Sequence, residues 1–416
     1  MGQMHRRFTD EQIRVLFQGY CQGTLDRSEV QTMLGIGKTR FFFLVRRYRQ
    51  DPAGFSIAYQ RRTRARLSAQ VEAEIKYELL REKKLVDDPR MPISGYNYTA
   101  LRDRLKKKGI TVSATTITTR AKNLSCYRPH PKAKTHDREV VTAAIGALVQ
   151  HDASVHLWSP LASEKWTLIT SLDDFSRKLL FADFFPSETA WAHIEAAQRL
   201  MQAYGVPLRY YVDNLRVFRF VQKRDSVWRK HVLETDDVDT QWGQMMRLLG
   251  VQVIYALSPQ AKGKVERTYR WLQDRIVRTC ALEGLITLEQ ARPVLYDEVD
   301  RYNNRQVHAT TGEIPSIRFE KALRAGTSLF RPLSFPEPYA SFKDIFCLRL
   351  TRTVNGYRRI SLFKEQIEVP NVLPYDEVQV HLIPHTDNHT VEIRIWCNDR
   401  LAHSVSYPLQ KLHVHF

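Results

Sequence analysis

Long apolar runs are missing from this 416-residue chain. No stretch approaches the ~18 consecutive apolar residues a membrane helix needs, and the opening Met1-Gly2-Gln3-Met4-His5-Arg6-Arg7 lacks the apolar segment of a signal peptide. The expectation is a soluble, cytoplasmic protein. Cysteine is scarce: Cys21, Cys126, Cys280, Cys347 and Cys397 lie far apart, are odd in number and include no CxxC pair, which argues against a disulfide framework and against a cysteine zinc site. With 17 glycines and 18 prolines against 43% hydrophobic and 11% aromatic residues, neither a collagen-like nor a wholly disordered chain fits. Acidic residues are also in deficit. Lys and Arg number 63 against 45 Asp and Glu, a net +18, which favours a polyanionic partner.

That excess is not spread evenly. Residues 1 to 136 hold 28 Lys and Arg against 12 Asp and Glu, a net +16, and residues 137 to 416 hold 35 against 33. At roughly 150 residues per domain the chain is long enough for two to four domains, so the basic third reads as a nucleic-acid-binding region and the rest as a balanced body.

Within the basic third, Thr9-Asp10-Glu11 caps a helix carrying Ile13, Leu16, Phe17 and Tyr20 at helical spacing. Ser28-Glu29-Val30 leads to a break at Gly35-Ile36-Gly37. Lys38-Thr39-Arg40 then opens a helix ending in Arg46-Arg47-Tyr48-Arg49. Helix, glycine turn and basic helix is the helix-turn-helix order, here over residues 1 to 60. A second unit over 61 to 136 has a helix through Val71, Ile75 and Leu79, another from Tyr98 through Leu105, a break at Gly109, and a restart at Ser113. Lys38, Arg40, Arg46 and Arg47 in the first unit, and Ser113, Thr115, Thr116, Arg120 and Lys122 in the second, have the short polar or basic side chains suited to phosphates and base edges.

From about Val149 the pattern becomes strand, strand, strand, helix, strand, helix, strand, helix, the order of a ribonuclease-H-type α/β sheet, assigned to residues 137 to 325. Asp152 falls in the first strand, Asp213 at the end of the fourth, and Glu266 on the helix after the fifth. Carboxylates from separate elements suit hard divalent cations, and two such ions can serve phosphodiester chemistry. His151 and His156 flank Asp152, with His151 alternating to the other face of the strand, and both read as core or rim residues.

Leu172-Asp173-Asp174-Phe175-Ser176-Arg177 resembles a turn of the retroviral-integrase core, and Ser258-Pro259-Gln260-Ala261-Lys262-Gly263-Lys264-Val265-Glu266-Arg267 resembles the segment presenting that core's last acid. Arg301-Tyr302-Asn303-Asn304-Arg305 and Thr311-Gly312-Glu313-Ile314-Pro315 are similar to the segment downstream of that core in bacterial insertion-sequence transposases. Over about residues 145 to 320 the chain therefore resembles a DDE-type transposase. The resemblance implies Asp152, Asp213 and Glu266 as catalytic, metal-holding acids, with Mg²⁺ as cofactor and Mn²⁺ as substitute. It further implies double-stranded DNA (terminal inverted repeats and target) as partner, a homo-oligomer on that DNA, and cleavage followed by strand transfer. Lys262, Lys264, Arg267 and Arg270 would supply countercharge to the DNA backbone. The interval from Asp213 to Glu266 is longer than in the retroviral members, and the surplus around 221 to 241 holds Asp225, Asp236, Asp237 and Asp239. Asp213 is preferred because a strand end fixes a carboxylate better than a polar loop does. The other open reading is a transposase-derived DNA-binding regulator with an inert core.

After a proline-bearing linker, residues 340 to 416 alternate in short strands around an Asn355-Gly356 hairpin signal, and a small β-barrel is expected. The fold class is thus multidomain α+β: helix-turn-helix units, a ribonuclease-H-like core and a C-terminal barrel.

The charge distribution predicts that residues 1 to 136 alone bind duplex DNA, with affinity falling by orders of magnitude between about 50 and 200 mM salt. Fluorescence anisotropy across that range checks it, and a flat response from a folded fragment would refute it.

Overall fold

The computed structural model describes residues 4, 7 to 57, 67 to 93, 95 to 129, 142 to 213, 240 to 256 and 263 to 412, with side chains from 266 onward in the last stretch. The chain forms two compact units, Met1–Glu72 and Ala73–Phe416.

The first unit holds α1 (Asp10–Gln22), α2 (Arg27–Leu34) and α3 (Lys38–Gln50). Thr9 and Asp26 close capping boxes with Gln12 and Glu29, and Gly23 and Gly35 end α1 and α2 in the left-handed conformation, at φ 77° and 64°. These caps fix short helices that would be marginal alone. Ile13, Phe17, Val30, Leu34, Phe41, Leu44, Val45 and Phe55 meet in one apolar cluster.

The second unit begins within α4 (Ala69–Asp87) and continues through α5 (Tyr98–Lys107) and α6 (Ala114–Asn123) to the mixed sheet. Its strands are β1 (Val149–His156), β2 (Trp166–Asp173), β3 (Leu179–Phe185), β4 (Arg209–Val212) and β5 (Gln252–Tyr255), in the order β3-β2-β1-β4-β5. β1, β2 and β3 pair antiparallel, whereas β4 runs parallel to β1 and β5 parallel to β4. The helices α7 (Ala190–Tyr204) and α8 (Gln241–Leu248) supply the crossovers, and α9 (Gly263–Glu283), α10 (Leu288–Asn304) and α11 (Pro315–Arg324) follow. Every residue of β2 is buried because both faces are covered. Trp166, Leu168 and Leu172 pack with Leu272, Ile276 and Leu295 of α9 and α10, while Ile169 joins the cluster of α7 and α8.

A buried ionic cluster ties α4 and α5 to α9 and α10. Arg275 bonds Asp103 at 2.9 Å and Glu298 at 3.2 Å, Arg301 reaches the same two acids, and Arg278 pairs with Glu82 and Asp274. Arg104 adds Glu78 at 3.1 Å and Glu82 at 2.8 Å. Arg275 and Arg278 are only 4% and 2% exposed, so their charges depend on these partners.

The C-terminal strands are β6 (Leu348–Thr353), β7 (Arg359–Leu362), β8 (Glu365–Glu368), β9 (Glu377–His385), β10 (Thr390–Cys397) and β11 (Arg400–Pro408). The expected closed barrel is not what they form among the described residues: β11-β10-β9-β6 is an open antiparallel sheet and β7-β8 a separate hairpin. Two-residue turns fall at Phe363-Lys364 and Asn398-Asp399, all at positive φ, as such turns require. Asn355-Gly356 joins strands with different partners, since β6 pairs with β9 and β7 with β8. Val380, Leu382, Ile393 and Ile395 belong to the same apolar cluster as Ile194 and Leu200 of α7, so the sheet packs as a continuation of the α/β layers. Phe330-Arg331 passes so close to Gly146 and Gly205 that a Cβ there would meet its backbone within 2.7 Å.

On this sheet His381 lies fully buried, between Arg349 on β6 and Arg394 on β10 in register, with neither ring nitrogen bonded among the described residues. Burial, then the two arginines, push its pKa down to about 3. The unfolded chain binds a proton near the ordinary value of ~6.5, so stability is fully present above that pH and is lost as pH falls from about 6.5 towards 3. Denaturant midpoints at pH 7.5 and 4.5 should therefore differ less in His381→Phe than in the parent.

Candidate active site

β1 presents two chemistries on its two faces. His151 points towards α7 and α8, where its ring stacks on Trp242 at 4.9 Å and its Nε2 lies 2.9 Å from His193 Nδ1. His151 Nδ1 is 2.8 Å from Ser171 Oγ, and His193 Nε2 is 3.2 Å from Glu188 Oε1. Ser171, His151, His193 and Glu188 are thus linked in one hydrogen-bonded chain, each ring nitrogen donating or accepting according to the imidazole's tautomer. The reading of His151 as a core residue holds. The chain it belongs to spans three elements, so nothing in local sequence announces it.

The opposite face carries Asp152 and Ser154, towards α9. Asp152 is level with Thr170 on β2, and Thr170 Oγ1 donates to the Tyr269 oxygen at 2.9 Å. The Tyr269 hydroxyl in turn donates to the Asp152 carbonyl at 2.5 Å, and Gln273 Nε2 donates to Ser154 Oγ at 3.3 Å. Burial, with Asp152 close by, pushes the Tyr269 phenol well above its usual range, so it stays a donor. Glu266 stands one turn before Tyr269, on the same stripe of α9. The β1–β4 register runs Val149↔Tyr210 and Gln150↔Tyr211, and two residues further along each strand come Asp152 and Asp213. Tyr210 and Val212 are buried, while Tyr211 and Asp213 alternate to the face of Gln150 and Asp152.

Thus Asp152, Asp213 and Glu266 share one face near the ends of parallel strands, and each is partly exposed. Three carboxylates are the oxygen donor set that hard divalent cations take. Among the described residues, however, no three Asp, Glu, His or Cys side chains stand close enough to share a metal ion. Asp225, Asp236, Asp237 and Asp239, like Lys262, lie outside the described residues, as does the Lys264 side chain.

The Asp173-Asp174 turn is a folding device. Asp173 accepts from Ser176 N at 2.8 Å, Ser176 Oγ at 2.6 Å and Gly146 N at 3.0 Å, and burial raises its pKa. Asp174 accepts from Thr142 at 2.7 Å, Gln150 at 2.6 Å and Arg177 at 3.0 Å.

The remaining sequence-selected residues with described side chains belong to α3, α6 with its N-cap, and α9. Lys38, Arg40, Arg46 and Arg47 are exposed on α3, although Arg47 also reaches Ser56 O at 3.4 Å. Ser113 is the N-cap of α6, taking Thr116 N–H at 3.0 Å with the Thr116 hydroxyl 2.9 Å away, so both hydroxyls serve the helix start. Thr115 and Lys122 are exposed and Arg120 half-buried. Arg267 and Arg270 are exposed on α9, Arg270 with its Nη2 4.0 Å from Glu266.

In sequence the chain resembles bacterial transposases. It is 29% identical over 305 residues to the Sinorhizobium fredii (strain NBRC 101917 / NGR234) protein y4bF, assigned as a transposase, covering 72% of this chain and 60% of that one. Against the transposase for insertion sequence IS1202 of Streptococcus pneumoniae it is 31% identical over 160 residues, covering 38% and 33%. The chain spans at most about 60% of the length of these curated relatives. No protein-family model matches it. Among solved structures, the HTLV-2 integrase catalytic core domain in complex with magnesium aligns with 42% of this chain and 97% of its own, at 16% identity and TM-score 0.31. A simian T-cell lymphotropic virus intasome in complex with PP2A regulatory subunit B56 gamma aligns with 73% and 95%, at 14% and 0.36. Scores this low leave the transposase relatives as the basis of the resemblance.

Asp174→Asn removes charge from a buried acceptor of three donors, and should lower the melting temperature by several degrees, at a cost of about 1–3 kcal/mol. Calorimetry checks it; an unchanged melting temperature would contradict the structural role of that turn.

Proposed function

We propose that the chain is a DNA transposase that binds the terminal inverted repeats of a mobile element and cleaves and joins phosphodiester bonds at Asp152, Asp213 and Glu266. The observation that carries this reading is the shared face of the three acids: two on adjoining parallel strands in register, the third one turn from the tyrosine bonded to the first acid's carbonyl. Similarity to transposases supports the same conclusion.

The three carboxylates would hold Mg²⁺, or Mn²⁺ in its stead, and a pair of such ions supplies charge stabilisation and a more acidic attacking hydroxyl. The chain's own residues do the rest. Tyr269 and Thr170 fix the Asp152 backbone from one face of β1, and the Ser171, His151, His193, Glu188 chain fixes it from the other. Arg267 and Arg270, with Lys262 and Lys264, would neutralise the scissile strand. In the first reaction a water oxygen attacks phosphorus in line and the 3′ oxygen leaves, taking a proton. In the second, the freed 3′-hydroxyl attacks a target phosphodiester, whose own 3′ oxygen departs, so bond number is conserved and no covalent enzyme intermediate forms.

The helix triads of residues 1 to 60 and 61 to 136 would recognise the repeats as helix-turn-helix units, with α3 and α6 as the reading helices. Double-stranded DNA is then the partner, and a homo-oligomer assembles on it. The second reading is a DNA-binding regulator with an inert core.

One experiment separates the two. Asp152→Asn, Asp213→Asn and Glu266→Gln each remove an anionic ligand at nearly constant volume, and each should reduce Mg²⁺-dependent nicking of DNA bearing the flanking inverted repeats by orders of magnitude. Melting temperature and DNA affinity should stay unchanged. A parent protein that binds such DNA but nicks none of it with either metal would establish the regulator, and full activity in Glu266→Gln would remove that residue from the site.

A further inference from the structure

The face of α3 turned from the core is basic, yet two phenylalanines stand in its middle. Phe41, Leu44 and Val45 fill the core of the first unit, whereas Phe42 is 42% and Phe43 51% exposed. At helical spacing Lys38 and Arg46 flank Phe42, and Thr39 and Arg47 flank Phe43. The Arg40 guanidinium lies 5.4 Å from the Phe43 ring centroid, and the Phe42 ring rests edge-on against Phe41 at 5.3 Å. The helix carries Lys38, Arg40, Arg46, Arg47 and Arg49 and no acidic residue. Exposed aromatic rings inside a ring of cations form a contact patch whose charge selects a polyanion and whose centre needs an apolar partner. On the major-groove edges of B-DNA the one apolar group is the thymine C5-methyl.

We propose that Phe42 and Phe43 are specificity-determining residues that contact thymine methyl groups, with Phe43 also orienting Arg40 towards the neighbouring base or phosphate. The inference rests on the reading of this unit as a DNA-binding module and goes beyond it by naming the base feature recognised.

The test uses the full chain. A randomised duplex library yields its preferred sequence, and each thymine of that sequence is then replaced singly by deoxyuridine, which differs only by the missing methyl. The parent should lose roughly fourfold in affinity at one or two positions, the value of one buried methyl group. Phe42→Ala or Phe43→Ala should bind the thymine and deoxyuridine duplexes equally at those positions while keeping the parent's salt dependence. Phe43→Leu, which retains apolar bulk, should restore part of the discrimination.

Equal affinity of the parent for every thymine and deoxyuridine pair would overturn the proposal, as would thymine preference surviving undiminished in both alanine variants. A change of oligomeric state in Phe42→Ala or Phe43→Ala without DNA, with methyl discrimination intact, would reassign the patch to a second copy of this chain. Failure of the parent to enrich any sequence would instead sink the sequence-reading role of this unit and the inference with it.

Discussion

The parallel ladder between β1 and β4 is the constraint on which the candidate site depends. It is short, with two residue pairs in register, and each strand leaves it carrying one of the two aspartates. Because side chains alternate along a strand, a slip of one residue would turn Asp213 to the opposite face from Asp152. The Tyr210 ring lies wholly buried on the opposite face, 5.7 Å from His151 and 5.5 Å from Trp242. Behind it, Arg331 exchanges backbone hydrogen bonds with Val206 at 2.8 and 2.9 Å, tying the lead-in to β4.

Much of what keeps these elements in place is polar and buried, which carries a cost and brings specificity. Arg275, Arg278, Glu82 and Asp103 gain little over well-packed apolar residues in net stability, but any one of them left alone would cost about 3–5 kcal/mol. Such a cluster tolerates one arrangement of α5 against α9 and α10. The same logic applies to Asp173, whose carboxylate is satisfied by three donors from two segments, and to the two histidines behind β1. The candidate site's face is thus bounded by groups whose hydrogen bonds are lost together if a strand shifts.

Local chemistry made most elements legible in the sequence. Thr9, Gly35 and Ser113 mark helix ends where caps or breaks are legible, and β1 to β4 are legible as apolar runs because Val149, Trp166, Leu168, Phe184, Tyr210 and Val212 are buried in them. Asp152 lies in β1, Asp213 follows the last residue of β4 and Glu266 is on α9, the elements expected for them. Where reading fell short, pairing partners were at fault. The Asn355-Gly356 signal was sound as a turn, but which strand β6 would pair with is a non-local matter that no dipeptide encodes. Phe363-Lys364 forms a positive-φ turn without the usual residues because Phe363 packs against the core. Glu78 and Glu82 look like solvated positions of a charged helix, yet both are buried, since their cations arrive from Arg104, Lys108 and Arg278.

The same distinction sorts the residues that carry the transposase resemblance. In the run 301 to 305, Arg301 joins the Asp103 and Glu298 cluster, the Tyr302 oxygen lies 3.3 Å from the Thr268 hydroxyl, and Asn303 does something more specific. Its amide accepts from Leu179 N and donates to Leu179 O, both at 2.9 Å, on β3, the edge strand of the sheet. A side chain that takes both backbone groups of an edge residue does for β3 what a sixth strand would do, and leaves those groups unavailable for pairing with another chain. Tyr302 meanwhile braces the turn of α9 that bears Glu266, through Thr268 two residues on. The motif after the core therefore contributes to the site by holding its sheet edge and its last helix, and its residues need no contact with substrate to matter.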